Sequence, residues 1–141
     1  MTQGPENRML NRLKPKLEAD LGVYIEKTNN PYHSGTPDWY IERDCANGWI
    51  EAKFWNIKTN KREAVSAFKL MSKCTTLQER WLRRAAENHS IRAAVLCGFP
   101  DTKKFAFLVL PAPYADVDIN LQVDLVDYRG LVWALNNWLG R

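Results

Sequence analysis

The sequence predicts an α/β domain in which helices flank a mixed β-sheet, with elements in the order αβββαβ. Helical apolar spacing recurs at both ends of the chain and once in the middle, and strand-like runs fill the gaps between. No glycine-rich phosphate-cradling loop is present, which argues against a doubly wound nucleotide binder. The 141 residues, 45% apolar and 26% charged, suffice for one ordinary hydrophobic core without disulfide or metal staples.

The first helix is expected over Pro5 to Leu21, where Met9 or Leu10, Leu13, Leu17 and Leu21 return at helical spacing. Pro15 implies a kink or a later start, and Gly22 a stop. Val23 to Thr28 has strand propensity and Asn29-Asn30-Pro31 breaks it. Asp38 to Glu42 and Gly48 to Trp55 read as two strands around the loop 43–47, with the turn at Asn47-Gly48.

Residues 56–73 are ambiguous between a loop with a short helix over Glu63 to Leu70 and a loop with an extended piece near Phe68. Thr76 to Asn88 reads as a helix capped by Thr76 with Glu79. Ile91 to Cys97 and Lys104 to Leu110 are expected as buried strands, Asp116 to Val126 as a half-buried edge strand, and Tyr128 to Leu139 as a closing helix. A single domain over 1–141 is expected, with a core of about 5–110 and a C-terminal strand and helix extension over 111–141.

No apolar run reaches the roughly 20 residues of a spanning helix, and the N-terminus lacks a signal-peptide pattern, so a cytoplasmic protein without membrane contact is expected. Cys45, Cys74 and Cys97 make neither a zinc motif nor a disulfide framework, and Cys97 reads as core. The net charge is +4, with basic residues grouped at Arg8, Arg12, Lys14 and Lys16 and again at Lys58, Lys61, Arg62, Lys69 and Lys73. The second group follows the carboxylate–lysine cluster described next, where a polyanion would dock.

Gly35-Thr36-Pro37-Asp38 is followed by Trp49-Ile50-Glu51-Ala52-Lys53-Phe54-Trp55. Residues two apart on a strand share a face, so Glu51 and Lys53 project together, opposite the apolar Ile50, Ala52 and Phe54. Antiparallel pairing through the 43–48 loop would bring Asp38 near Glu51, at an open rim of the sheet. Two hard carboxylates, with the Ala52 backbone carbonyl as a further ligand, suit Mg²⁺ or Mn²⁺. Lys53 could hold or deprotonate an attacking water and offset charge on a phosphorane-like transition state.

On the 76–88 helix Gln78 falls within the apolar arc of Leu77, Trp81, Leu82, Ala85 and Ala86. It either bonds the backbone or reaches the carboxylate–lysine cluster. His33 is expected as a solvated loop residue, with a phosphate contact as the alternative. Trp39, Trp49 and Trp55 are expected in packing rather than stacked on bases.

With these residues assembled, the chain resembles the PD-(D/E)xK nuclease superfamily, in particular small phage-type members of the VRR-NUC and Holliday-junction-resolvase-like branches. The resemblance runs from Gly22 to about Leu110 through Gly35-x-Pro37-Asp38, Glu51-x-Lys53 and Leu77-Gln78-x-x-Trp81-Leu82. It implies a restriction-endonuclease-like core and a Mg²⁺- or Mn²⁺-dependent endonuclease acting on DNA, branched DNA included, in a phage setting. Asp38 and Glu51 would bind the metal, Lys53 would be catalytic, and Gln78 would lie beside the site. An acid on the first helix often completes such sites; Glu6 and Glu18 are candidates and Glu6 is preferred. Lys27 either reaches a phosphate or is a surface lysine. Lys58, Lys61 and Arg62, with Lys27 and His33, form the expected DNA-binding set. The acidic segment over 116–126 would repel DNA, so it is expected away from substrate or in a homodimer contact. The alternative function is a nuclease-fold module that binds DNA without cutting it.

Overall fold

The computed structural model describes residues 4–28, 35–87, 91–101, 103–110 and 120–140. Its elements run α1 (Pro5–Leu21), β1 (Tyr24–Lys27), β2 (Trp39–Arg43), β3 (Ala46–Phe54), β4 (Ala64–Ser66), α2 (Ala67–Ser72), α3 (Thr76–Glu87), β5 (Arg92–Gly98), β6 (Phe105–Val109), β7 (Gln122–Val126) and α4 (Tyr128–Leu139). The strands make one mixed sheet in the order β1-β2-β3-β5-β6-β7-β4. The predicted α/β class, a mixed sheet flanked by helices, is what the chain adopts.

β3 and β5 are parallel, and the other pairs among the described residues are antiparallel. A parallel pair needs a crossover rather than a hairpin, and β4, α2 and α3 supply it. One sheet face packs Ile25, Trp39, Ile41, Ile50 and Leu96 against α1 and α4. The other packs Val95, Cys97, Ala106 and Leu108 against α2 and α3. Cys97 is buried in that second core, as predicted, and burial pushes its thiol up to about 12.

α1 buries Met9, Leu10, Leu13, Leu17 and Leu21, the predicted stripe, and Gly22 ends it at φ 64° with its N–H donating to the Glu18 carbonyl. The helix begins at Pro5 and runs through Pro15. Pro5 stands where a missing N–H costs nothing. Pro15 is exposed, so the break in the helical hydrogen-bond ladder falls on the solvent side of the helix.

Three local expectations are corrected. The β2–β3 turn is at Asp44-Cys45, not Asn47-Gly48: Arg43 pairs with Ala46, and Asp44 takes the left-handed φ of 54°. Gly48 lies instead inside β3, where a Cβ would sit 2.6 Å from the Trp138 ring, so its small size serves packing. β7 is not an edge strand, because β4 pairs beyond it through Ala64 with Asp124. Residues 56–73 combine both expected features, a three-residue strand and then a short helix capped by the Ser66 hydroxyl. Residues 120–140 join the same sheet and core rather than hanging from it, with Leu131, Leu135, Trp138 and Leu139 packed beside α1. Among the described residues no helix is long and apolar enough to cross a membrane.

Candidate active site

Antiparallel pairing of β2 with β3 places Trp39 opposite Ile50. Asp38, one residue earlier, therefore lies beside the outgoing end of β3. Its Oδ2 accepts a hydrogen bond from the Ala52 N–H at 2.9 Å. In a strand a residue's N–H and C=O point to the same edge, so the Ala52 carbonyl also faces the Asp38 side. The Asp38 and Glu51 carboxyls lie within hydrogen-bonding reach of each other. Lys53 Nζ is 3.3 Å from Glu51 Oε2 and donates to Gln78 Oε1 at 2.7 Å. The four predicted side chains thus converge.

Asp38 and Gln78 stay half-buried, while the other two side chains are largely enclosed. Glu51 is 2% exposed and Lys53 9%. Strand alternation correctly put them on one face, but α2 and α3 roof that face as well.

Burial governs the charges. It raises the Asp38 carboxyl above its ordinary range, against the pull of the Ala52 N–H, Glu51 and Lys53. Burial first, and the Asp38 charge second, push Glu51 up to about 8. Without a cation, Glu51 therefore tends to hold its proton well above the ordinary carboxyl range. Glu51 Oε1 has no hydrogen-bond partner although it is buried. An orphaned carboxylate oxygen beside a second carboxylate and a backbone carbonyl fits a hard divalent cation. Among the described residues no three His, Cys, Asp or Glu side chains converge on one point. Two carboxylates still suffice for Mg²⁺, which keeps several of its waters.

A linked pH dependence is expected. With its carboxyl raised from 4.5 to about 8, Glu51 keeps in the folded chain a proton that the unfolded chain releases. Its contribution to stability is fully present below pH 4.5 and is lost as pH rises through about 8. Thermal melting without metal should therefore weaken across that window, and Mn²⁺ at alkaline pH should restore it by taking the proton's place. Equal Mn²⁺ stabilisation of Glu51→Gln would show that the ion binds elsewhere.

Gln78 has two roles. The α3 cap is Thr75, not Thr76: the Thr75 carbonyl accepts from Glu79 N–H at 2.9 Å and its Oγ1 from Gln78 N–H at 3.1 Å. Gln78 Oε1 in turn accepts from Thr75 N–H at 2.9 Å, closing a capping box. The same oxygen receives the Lys53 ammonium, so the backbone and site readings of Gln78 are both realised. Leu77, expected inward, is 46% exposed. Gly35 packs against it, and a Cβ there would lie 2.7 Å from the Leu77 carbonyl carbon and oxygen. The Gly35–Asp38 segment and the α3 first turn are thereby held together. Gln78→Leu should cost about 0.5–2 kcal/mol of stability through the cap, and should lower any Lys53-dependent activity further. Gln78→Glu keeps the box and should restore the stability. Wild-type activity in a destabilised Gln78→Leu protein would limit Gln78 to the cap.

Among the remaining expected residues, Glu6 is near enough for its charge to raise Asp38. Glu18 stands about 18 Å further along α1, where it pairs with Lys14. Lys27 shares the α1 side of the sheet with Ile25, opposite Glu51 and Lys53, and donates to Asn11 Oδ1 at 2.9 Å. Lys58, Lys61 and Arg62 are exposed, in and beside a turn tied to the β5–β6 connection by Lys104 Nζ, which donates to the Thr59 and Arg62 carbonyls. His33 lies outside the described residues. Trp39 is buried in the core; Trp49 packs at a tilt against Trp81, and Trp55 against Phe99, with Lys73 Nζ 4.6 Å from the centre of the Trp55 ring. These contacts agree with packing rather than base stacking. The capping-box role of Thr75 was missed, although Thr75-x-x-Gln78 was its signal. A recess of about 620 Å³ between α4 and β6 is lined by Trp133, Trp138 and Phe107, away from the carboxylates.

No protein-family model matches the sequence, and no curated protein is similar to it. Among solved structures, the chain is similar to the Holliday junction resolvase Hjc of the archaeal hyperthermophile Archaeoglobus fulgidus. The identity is 19%, the TM-score 0.44, and the match covers 95% of this chain and 96% of that one. What the buried site can do rests on its own side chains.

Proposed function

We propose that the protein is a divalent-metal-dependent endonuclease of the PD-(D/E)xK type, hydrolysing phosphodiester bonds in DNA. One observation carries this reading: Glu51 and Lys53 are buried beside the half-buried Asp38, with one Glu51 carboxylate oxygen left without a hydrogen-bond partner. A surface ion pair would need neither the burial nor the second acid. A fold that only binds DNA gains nothing from crowding two like charges in a dry place, which costs stability unless a cation compensates them.

Asp38, Glu51 and the Ala52 carbonyl would hold the cation. When bound, it supplies Lewis-acid stabilisation of charge on the phosphate and favours Mg²⁺ or Mn²⁺ by its oxygen ligands. Lys53, aimed by Gln78 Oε1 and Glu51, positions the attacking water and offsets charge as the water oxygen bonds phosphorus and the leaving oxygen departs. The surrounding protein excludes bulk water, which strengthens each of these interactions.

The test is cleavage of duplex, single-stranded, flap and four-way DNA, with RNA alongside, in Mg²⁺ or Mn²⁺. Cutting of at least one DNA substrate, abolished by chelation, is expected. Salt-sensitive DNA binding with no cutting of any substrate would favour the binding module instead.

A further inference from the structure

Two recesses away from the carboxylate–lysine cluster share one basic row. Arg8, Arg12 and Lys16 are four residues apart on α1, so they line up on one exposed face. The first recess, about 210 Å³, lies between Arg8 and Arg12 on one side and Phe54, Gly98 and Lys104 on the other. The second, about 380 Å³, has Arg12 and Phe105 in common with it and extends to Lys16, Lys103 and Arg129. Together they make a groove with six cations in its walls and one acid, Asp127, whose Oδ1 is engaged by the Gly130 N–H. Asp101 stands in the turn just before Lys103, accepting from its N–H.

The groove starts at the same end of β3 as the candidate site but on the α1 face of the sheet, so a strand passing from one to the other rounds that end of the sheet. Phe54 follows Lys53 on β3, and Glu6, on the first turn of α1, is close enough to act on Asp38. From Arg8 to Lys16 the row rises about 12 Å in two steps of about 6 Å, comparable with the separation of successive phosphates along a strand.

The geometry points to a second DNA contact in this groove: the backbone of a strand continuing beyond the scissile phosphate, seated between α1 and the β5–β6 turn. The assignment of the polyanion as DNA rests on the proposed nuclease function. The groove lies outside the set of Lys27, His33, Lys58, Lys61 and Arg62 that the sequence suggested. It makes the substrate one that extends well past the cut, with the α1 row reading charge spacing and not base identity.

The test measures binding of the full-length chain in EDTA, where no cutting occurs, to a long and a short DNA duplex over a salt series. Arg12→Gln with Lys16→Gln should weaken binding of the long duplex and flatten the dependence of log affinity on log salt by about 1.8, roughly 0.9 per lost phosphate contact. Arg12→Gln alone should flatten it by about half as much. Lys14→Gln removes the same charge outside the groove and should change it little. A duplex too short to reach from Lys53 to Lys16 should bind the double variant and wild type alike. Equal slopes for wild type and the double variant would overturn the groove, and so would Lys14→Gln acting as strongly as Arg12→Gln. Anionic vesicles or polyglutamate bound as tightly as DNA, and lost equally in the double variant, would overturn its assignment to DNA. A protein that shows the slope change yet never cuts keeps the groove and sinks the nuclease. One that cuts with no slope change sinks the groove alone.

Discussion

Lys53→Ala should lower Mg²⁺-dependent DNA cleavage by on the order of 10²–10³-fold or more while the chain stays folded. The ammonium lies 3.3 Å from Glu51 and 2.7 Å from Gln78, in a place that solvent scarcely enters. A preorganised charge there is far stronger than the same charge in water. Its removal leaves Glu51 without the nearby cation, but that carboxyl already tends to hold a proton, so no bare buried charge results. The variant should therefore fold, and it should keep most of its DNA affinity, which the exposed cations supply. Lys53→Arg should not rescue, because a planar guanidinium needs more room than the compact ammonium it replaces. Asp38→Ala should be as damaging, and it should also remove the acceptor for the Ala52 N–H. Wild-type-like cutting by either alanine variant would end the proposed mechanism.

Gly35→Ala should have the largest effect of any single-methyl change near the site. Gly35 has φ of 89°, which side chains rarely adopt, at a cost of about 1–2 kcal/mol. The new methyl would also press on the Leu77 backbone from 2.7 Å, adding overpacking of about 1–3 kcal/mol. A total loss of about 2–5 kcal/mol follows from these two terms, readable in denaturant unfolding. Because Leu77 adjoins Gln78, relief of the clash must shift the Gly35 segment against the α3 first turn, and so Asp38 against Gln78 and Lys53. Cleavage measured well below the melting temperature should fall too. A stable Gly35→Ala protein with full activity would show that the contact with α3 is dispensable.

How much of this was legible in the sequence depends on how local each cause is. α4 falls on the predicted Tyr128–Leu139 because its apolar spacing and Asp127 cap are contiguous. Asp38, Glu51 and Lys53 were readable because one short hairpin joins them. The turn was misplaced because Asn47-Gly48 is a strong turn pair, and only the distant Trp138 explains why that glycine sits in a strand. The cap was misplaced by one residue because Thr75-x-x-Gln78 and Thr76-x-x-Glu79 overlap, and the bond from Lys53 is not a sequence pattern. The burial of Glu51 was invisible, since it depends on a crossover from β3 to β5 that no local period announces. The position of β4 next to β7 is likewise set by partners about 60 residues apart.

The parallel β3–β5 pair has a bearing on the order of assembly. Two carboxylates and their lysine belong to a hairpin, which can close within microseconds, whereas the crossover must bring far-separated segments together before β5 can dock. During that delay Asp38, Glu51 and Lys53 would be close together but solvated, with Gln78 not yet in place. Under the proposed function, competence would be gained only when the crossover seats, and a chain short of that point would hold the residues without the enclosure that β5 and α3 provide.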